Sequence, residues 1–232
     1  MEDTNKKVYF AESKMITNEE TIKKQTNTFI IMKKLILFIF AAIMATSAQA
    51  QTAVDAIRKH YDAMKSQIAE MGNYEGEYPV PTYYNVQIKE NYPGTGPHFE
   101  NIYIYHDEVE SAEDVIFPPK RIEFVTTSYN FAARQYYEEY LFDKKGNLEF
   151  LYARSVMEDD YDREYRLYLR GGKAVKAIVK ERPVSSDENA SFKTVYEGAS
   201  IPKQYNRSFQ GYIGKSKRFK ALFSAVADVQ CY

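Results

Sequence analysis

Tyrosine is the residue whose number and placement in this sequence point most directly to chemistry. The chain contains 21 tyrosines and no tryptophan. A tyrosine ring is apolar and its hydroxyl is polar, which suits a surface that is wet at some times and covered by a ligand at others. We therefore assign ligand binding to four tyrosines on the strand face with the more polar neighbours: Tyr103, Tyr105, Tyr137 and Tyr168. The alternative is a purely structural role, because cross-strand aromatic pairs stabilise sheets by roughly 0.2–1 kcal/mol each.

A histidine followed by two carboxylates is the feature of this sequence that most resembles a catalytic acid–base pair. His106 precedes Asp107 and Glu108, and a general base must lie within hydrogen-bonding reach of the group that it activates. The sequence offers no Gly-x-Ser-x-Gly elbow, His-Glu-x-x-His motif or phosphate-binding loop to accompany it. His98 shares the strand of His106, but ~26 Å separates them at ~3.3 Å per residue, too far for one metal.

Two groups of acidic residues contain the residue types used in metal binding and in glycoside hydrolysis. Calcium favours several carboxylates on a short loop, and Glu158–Asp162 offers four, but without the glycine and spacing of an EF-hand. A solvated hairpin tip is the simpler interpretation. Glu138 and Glu139 point to opposite faces of one strand, so they cannot flank a single glycosidic bond. The sequence therefore predicts no catalytic residue, no metal site and no cofactor.

The segment from Arg121 to Arg182 must position most of these residues, and it reads as five consecutive strands. Apolar and polar residues alternate along each of them, as in half-buried strands. Short turns separate the strands, including Asp143–Asn147 and Gly171-Gly172. Links this short cannot hold a crossover helix, so neighbouring strands are predicted to run antiparallel.

Two further strands and two helices complete the predicted fold. Tyr83–Glu90 and His98–His106 alternate in the same way, which gives seven strands. Apolar residues recur at spacings of three and four from Thr52 to Met71, and again from Lys215 to Asp228. Segment 191–205 is ambiguous. The predicted class is α+β: a curved, mainly antiparallel seven-stranded meander, with both helices packed on one face.

The amino terminus has the organisation of a secretory signal. Met32-Lys33-Lys34 is basic, an unbroken apolar run follows, and Ala48-Gln49-Ala50 is a small-x-small cleavage site. The run is shorter than the ~20 residues that span a bilayer. We expect translation to start at Met32, residues 1–31 being an untranslated polar extension. The alternative is a genuine extension that makes the apolar run an uncleaved anchor.

The sequence thus predicts one exported domain, residues 51–232, in the periplasm or outside the cell, without stable membrane insertion after cleavage. Its only cysteine, Cys231, permits no internal disulfide. The formal net charge of the full 232-residue chain is −1, with no basic excess that would indicate nucleic acid. Our leading hypothesis is a non-catalytic domain that binds a glycan, peptide, lipid or protein partner through its tyrosine-rich face. The alternatives are an envelope hydrolase using His106, and an inhibitor or assembly protein of the cell envelope.

Overall fold

A computed structural model describes residues 50–71, 82–109, 118–158, 160–184 and 190–227, all within one compact unit, Ala50–Tyr232. Residues 1–31, the signal segment up to Gln49, and Cys231 lie outside the described residues. So does Asp159, one of the four acidic residues of the Glu158–Asp162 segment.

The described residues form one eight-stranded sheet and two long helices. Helix α1 spans residues 50–71 and helix α2 spans Asn206–Ala227, preceded by a 3-10 turn at Lys203–Tyr205. The strands are β1 Thr82–Tyr92, β2 Gly96–Glu108, β3 Lys120–Phe131, β4 Arg134–Phe142, β5 Leu148–Glu158, β6 Tyr161–Arg170, β7 Lys173–Pro183 and β8 Lys193–Gly198.

The sheet is a simple meander in which every strand pairs with its neighbours in sequence. The order is β1 to β8 without a crossover, and every pair is antiparallel. Gly171 and Gly172 adopt φ values of 56° and 76°, a backbone conformation that glycine reaches without steric cost. The predicted α+β class and antiparallel meander are therefore confirmed.

An eighth strand and a longer α2 are the first differences from the prediction. Strand β8 lies in the segment judged ambiguous; it is a short edge strand whose Val195 is 46% exposed, so it lacks a clear apolar alternation. Helix α2 begins at Asn206 rather than near Lys215. Gly211 and Gly214 lower the helix propensity of its first turns, but burial of Phe209 overrides that cost.

The helices also pack on opposite faces of the sheet, not on the single face predicted. On one face, which we call the α1 face, Val54, Ile57 and Met64 of α1 pack against strand residues that include Phe124 and Leu141. On the other, the α2 face, helix residues Phe209, Phe219 and Phe223 pack against strand residues that include Val125 and Tyr140. Consecutive strand residues point to opposite faces, and here both faces are apolar, so each needs its own covering helix.

Of the acidic residues predicted to form a solvated tip, two of those that the structure describes are paired with protein groups instead. Glu158 belongs to β5, pairs in the sheet with Tyr161 and lies 3.4 Å from the Arg163 guanidinium. Asp162 is buried and binds Arg182 at 2.6 Å. Among the described residues, no group of three or more histidine, cysteine or acidic residues is arranged to hold a metal ion.

Candidate functional site

The four tyrosines singled out from the sequence lie on one face, the α1 face. Tyr103 and Tyr105 are on β2, Tyr137 is on β4 and Tyr168 is on β6, at positions that the strand pairing places on the same side. Tyr103 and Tyr137 are half-buried, whereas Tyr105 and Tyr168 are each only 5% exposed. The face was expected to be open. Helix α1 instead lies across it and covers part of the aromatic surface.

A cleft of about 500 Å³ remains beside α1, over strands β4 to β7. This volume is within the range of ~300–1,000 Å³ that is usual for small-molecule sites. Three tyrosines line the cleft, Phe150 and Ile178 form its floor, and four charged side chains complete the lining. The nine residues are Arg58, Tyr61, Asp62, Glu139, Phe150, Tyr152, Arg166, Tyr168 and Ile178. Of the four predicted tyrosines, only Tyr168 belongs to this lining.

Two guanidinium groups lie over tyrosine rings in the cleft. The guanidinium carbon of Arg58 is 5.6 Å from the centroid of the Tyr168 ring, and that of Arg166 is 5.5 Å from the Tyr152 ring. Arg166 also binds Glu164 at 3.1 Å. Arg58 also hydrogen-bonds the Tyr168 hydroxyl and lies 3.6 Å from Asp55. A guanidinium group has five N–H donors, so each of the two arginines keeps donors for the carbonyl, hydroxyl or carboxylate oxygens of a ligand.

The inner wall of the cleft is formed by Glu139, a carboxylate that is only 2% exposed. Lys65 donates to it at 2.7 Å and the Tyr137 hydroxyl at 2.6 Å, and the Tyr61 hydroxyl donates to its other oxygen. Burial, and then the hydrogen bond to Glu139, raises the pKa of both Tyr61 and Tyr137. Both phenols therefore remain neutral donors at physiological pH, and Tyr137 contacts Glu139 without lining the cleft itself.

Tyr152 is the phenol best placed to meet a ligand. It is half-buried in the cleft wall, and its hydroxyl donates to Glu164 at 3.2 Å. Burial, with the nearby Glu164 charge, raises the pKa of Tyr152 to about 12. The group thus offers a neutral hydroxyl and a ring edge rather than a phenolate nucleophile.

His106, the base of the hydrolase hypothesis, is 6% exposed and lies on the α2 face. Its ring packs 4.6 Å from that of Tyr84 and 6.1 Å from that of Phe223, and its Nδ1 is 3.3 Å from the Thr82 hydroxyl. Burial, and then the charge of Lys120, lowers the pKa of His106 to about 4. None of the four cavities that we find among the described residues is lined by His106, so the geometry adds nothing to that hypothesis.

The remaining histidines have local partners. His60 lies on α1 and pairs with Glu149 through Nδ1, and this hydrogen bond raises the pKa of His60. The Nδ1 of His98 is 2.6 Å from the backbone oxygen of Asn130. Because a carbonyl oxygen only accepts, this nitrogen carries the proton.

Exposed apolar residues bear on the hypothesis of an inhibitor or assembly protein. Among the described residues, the large exposed ones are Tyr92, Phe99, Phe131, Met157, Tyr161, Val184 and Val195. All but Val195 lie at or near strand ends, so they do not mark the middle of either sheet face. Over the same residues, no helix has the length and apolar character needed to cross a bilayer.

The sequence reasoning missed eight of the nine residues that line the cleft; three of them, Arg58, Tyr61 and Asp62, belong to α1 and the other five to strands. Arg58, Asp62 and Lys65 recur at spacings of four and three, so they lie along one flank of the helix, beside the apolar stripe. The spacing marks this flank in the sequence, but it indicates a cleft wall only when helix α1 is known to cover the tyrosine-rich face. Comparison with family models found no match to this chain, and searches of curated proteins and of solved structures found no significant match.

Proposed function

We propose that this protein is an exported, non-catalytic domain that binds a small glycan or peptide in the cleft beside α1. The observation that carries the proposal is the combination of two guanidinium groups lying over tyrosine rings with an apolar floor, in a cleft of about 500 Å³. Sites of this kind fix a ligand through apolar surface and a few placed polar groups.

The polar groups in the cleft favour a ligand rich in oxygen. Arg58 and Arg166 supply N–H donors, and Asp62, exposed on α1, supplies an acceptor. Phe150 and Ile178 are 4% and 7% exposed and form an apolar floor. A sugar ring or a peptide backbone presents both hydroxyl or carbonyl oxygens and an apolar surface, so it matches this lining better than a hydrocarbon does.

The test is a screen of the full chain against glycan and peptide arrays, followed by variants measured by calorimetry. Arg166→Ala and Tyr152→Phe are expected to weaken binding of the selected ligand, Arg166→Ala by about tenfold or more. The matched controls are Arg134→Ala, an exposed guanidinium at the start of β4, and Tyr136→Phe, a half-buried tyrosine whose side chain lies on the α2 face.

Two outcomes would contradict this function. One is a screen without any glycan or peptide ligand; the other is a ligand whose affinity is unchanged in Arg166→Ala and Tyr152→Phe. Export is checked separately, by mass spectrometry of the native amino terminus. A mature start near Gln51 is expected, and intact peptides from Glu2–Lys24 would contradict it.

A further inference from the structure

A second cavity, of about 540 Å³, lies on the α2 face, between α2 and the turn that joins β6 to β7. The sheet separates it from the cleft beside α1, because its helical lining comes from α2 alone. Its volume is again within the usual range of ~300–1,000 Å³ for a small-molecule site. Neither the tyrosine assignment nor the proposed function accounts for it.

Most of the wall of this cavity is aliphatic. The apolar lining comes from strands, from the segment before the 3-10 turn and from α2: Leu148, Leu169, Ala174, Ile201 and Ile213. Leu169 is 5% exposed and the other four are half-buried, so part of their apolar surface still faces the opening. Covering such surface releases roughly 25 cal/mol per Å², which favours an occupant with a hydrocarbon portion.

The rim of the cavity carries positive charge that the described residues do not neutralise. Lys217 and Lys220 are exposed and lie three residues apart on α2, so both point to the same side of the helix. Within the described part of the chain, neither ammonium group has an ion-pair or hydrogen-bond partner. The lining includes no carboxylate, and the Ser216 hydroxyl already donates to the Ile213 carbonyl at 2.7 Å.

We propose that this cavity binds a single-chain aliphatic carboxylate, with the chain against the aliphatic wall and the carboxylate paired with Lys217 and Lys220. An uncharged hydrocarbon would leave both lysines unpartnered, and a small anion would leave the wall uncovered. Charge-assisted hydrogen bonds from two ammonium groups to one carboxylate are among the stronger polar contacts available to a protein.

The experiment titrates the full chain with dodecanoate, below its micellar concentration, and with dodecylamine and dodecanol, which share its chain length. Dodecanoate is expected to bind at least about tenfold more tightly than dodecanol, and dodecylamine is expected not to bind. Equal affinity for all three would overturn the proposal, as would no detectable binding of dodecanoate.

Matched variants locate the ligand. The double variant Lys217→Met/Lys220→Met is expected to reduce dodecanoate affinity to that of dodecanol. The double variant Lys59→Met/Lys89→Met removes the same charge from exposed positions outside the cavity and is expected to change nothing. Arg166→Ala distinguishes the two sites, since loss of dodecanoate binding in that variant would place the ligand in the cleft beside α1 and overturn this assignment.

Discussion

Glu138 and Glu139 are adjacent on β4, yet their carboxylates are buried on opposite faces of the sheet in matching surroundings. Each accepts hydrogen bonds from two tyrosine hydroxyls and from one lysine of the helix that covers its face. Glu139 takes them from Tyr61, Tyr137 and Lys65, as described above. Glu138 takes them from Tyr129 at 2.7 Å, from Tyr140 at 2.5 Å and from Lys215 of α2.

This arrangement ties both helices to the centre of the sheet through polar contacts. A buried carboxylate without partners is costly, so each site requires its lysine and its phenols together. Burial, and then the Glu138 charge, raises the pKa of Tyr129 and of Tyr140, which keeps both phenols protonated as donors.

The first prediction concerns the lysine of α2. Lys215→Met is expected to lower the free energy of unfolding by about 1–3 kcal/mol, because the buried Glu138 side chain loses the hydrogen bond and ion pair that Lys215 supplies. Lys215 is 33% exposed, so solvent moderates the loss. Urea denaturation measures the change. Lys217→Met on the same helix is the control and should stay within about 0.5 kcal/mol; equal effects of the two variants would contradict this role for Lys215.

The second prediction is that the two carboxylate sites are energetically independent. Lys65→Met and Lys215→Met act on different carboxylates and share no partner. The free energy of unfolding of the double variant should therefore fall by the sum of the two single-variant decreases, to within about 0.5 kcal/mol. A clearly non-additive result in the same denaturation experiment would show that the two faces are coupled through β4.

The strands were predictable from the sequence because local rules specify them. Alternation of apolar and polar residues marks β1 to β7, and the Gly171-Gly172 pair marks one of the hairpin turns that make the sheet a meander. Strand β8 follows no such rule. It pairs with β7 alone, at the edge of the sheet, and its side chains are mostly exposed. Its sequence therefore lacks the alternation of apolar and polar residues that marks the other strands.

The placement of the helices depends on information that is not local. Phe124 and Val125 are consecutive, and both are fully buried, each under a different helix. Such pairs indicate a sheet covered on both sides, but the regular alternation around them suggested one covered face. The same error hid the candidate site, because the cleft exists only where α1 lies over the tyrosine-rich face.

The third prediction tests the covering layer on the α2 face. Phe219 is fully buried, with its ring 5.0 Å from that of Tyr140 in an edge-to-face contact. Phe219→Ala is expected to lower the free energy of unfolding by about 3–5 kcal/mol. Phe131, which is 51% exposed at the end of β3, is the matched control. Phe131→Ala should change stability by no more than about 0.5 kcal/mol, and comparable losses would contradict the packing.

The last prediction uses two histidines whose pKa values are shifted in opposite directions. The pKa of His106 is lowered to about 4 from its ordinary value of 6.5. Between these values the unfolded chain takes up a proton that the folded chain does not, so His106 reduces stability as the pH falls below 6.5. His106→Phe keeps the aromatic contacts. Its free energy of unfolding should therefore rise by about 1 kcal/mol relative to that of the native protein when the pH is lowered from 8.0 to 5.5.

The raised pKa of His60, caused first by its hydrogen bond to Glu149, predicts the reverse. Its contribution is present in full below the unfolded pKa and is lost as the pH rises through the folded pKa. His60→Gln should therefore be more destabilising at pH 5.5 than at pH 8.0. Urea denaturation of both variants at the two pH values is the measurement. The two pKa shifts have opposite causes, burial for His106 and a carboxylate partner for His60. If lowering the pH changed the stability of both variants, relative to the native protein, in the same direction, the described surroundings of at least one histidine would be wrong.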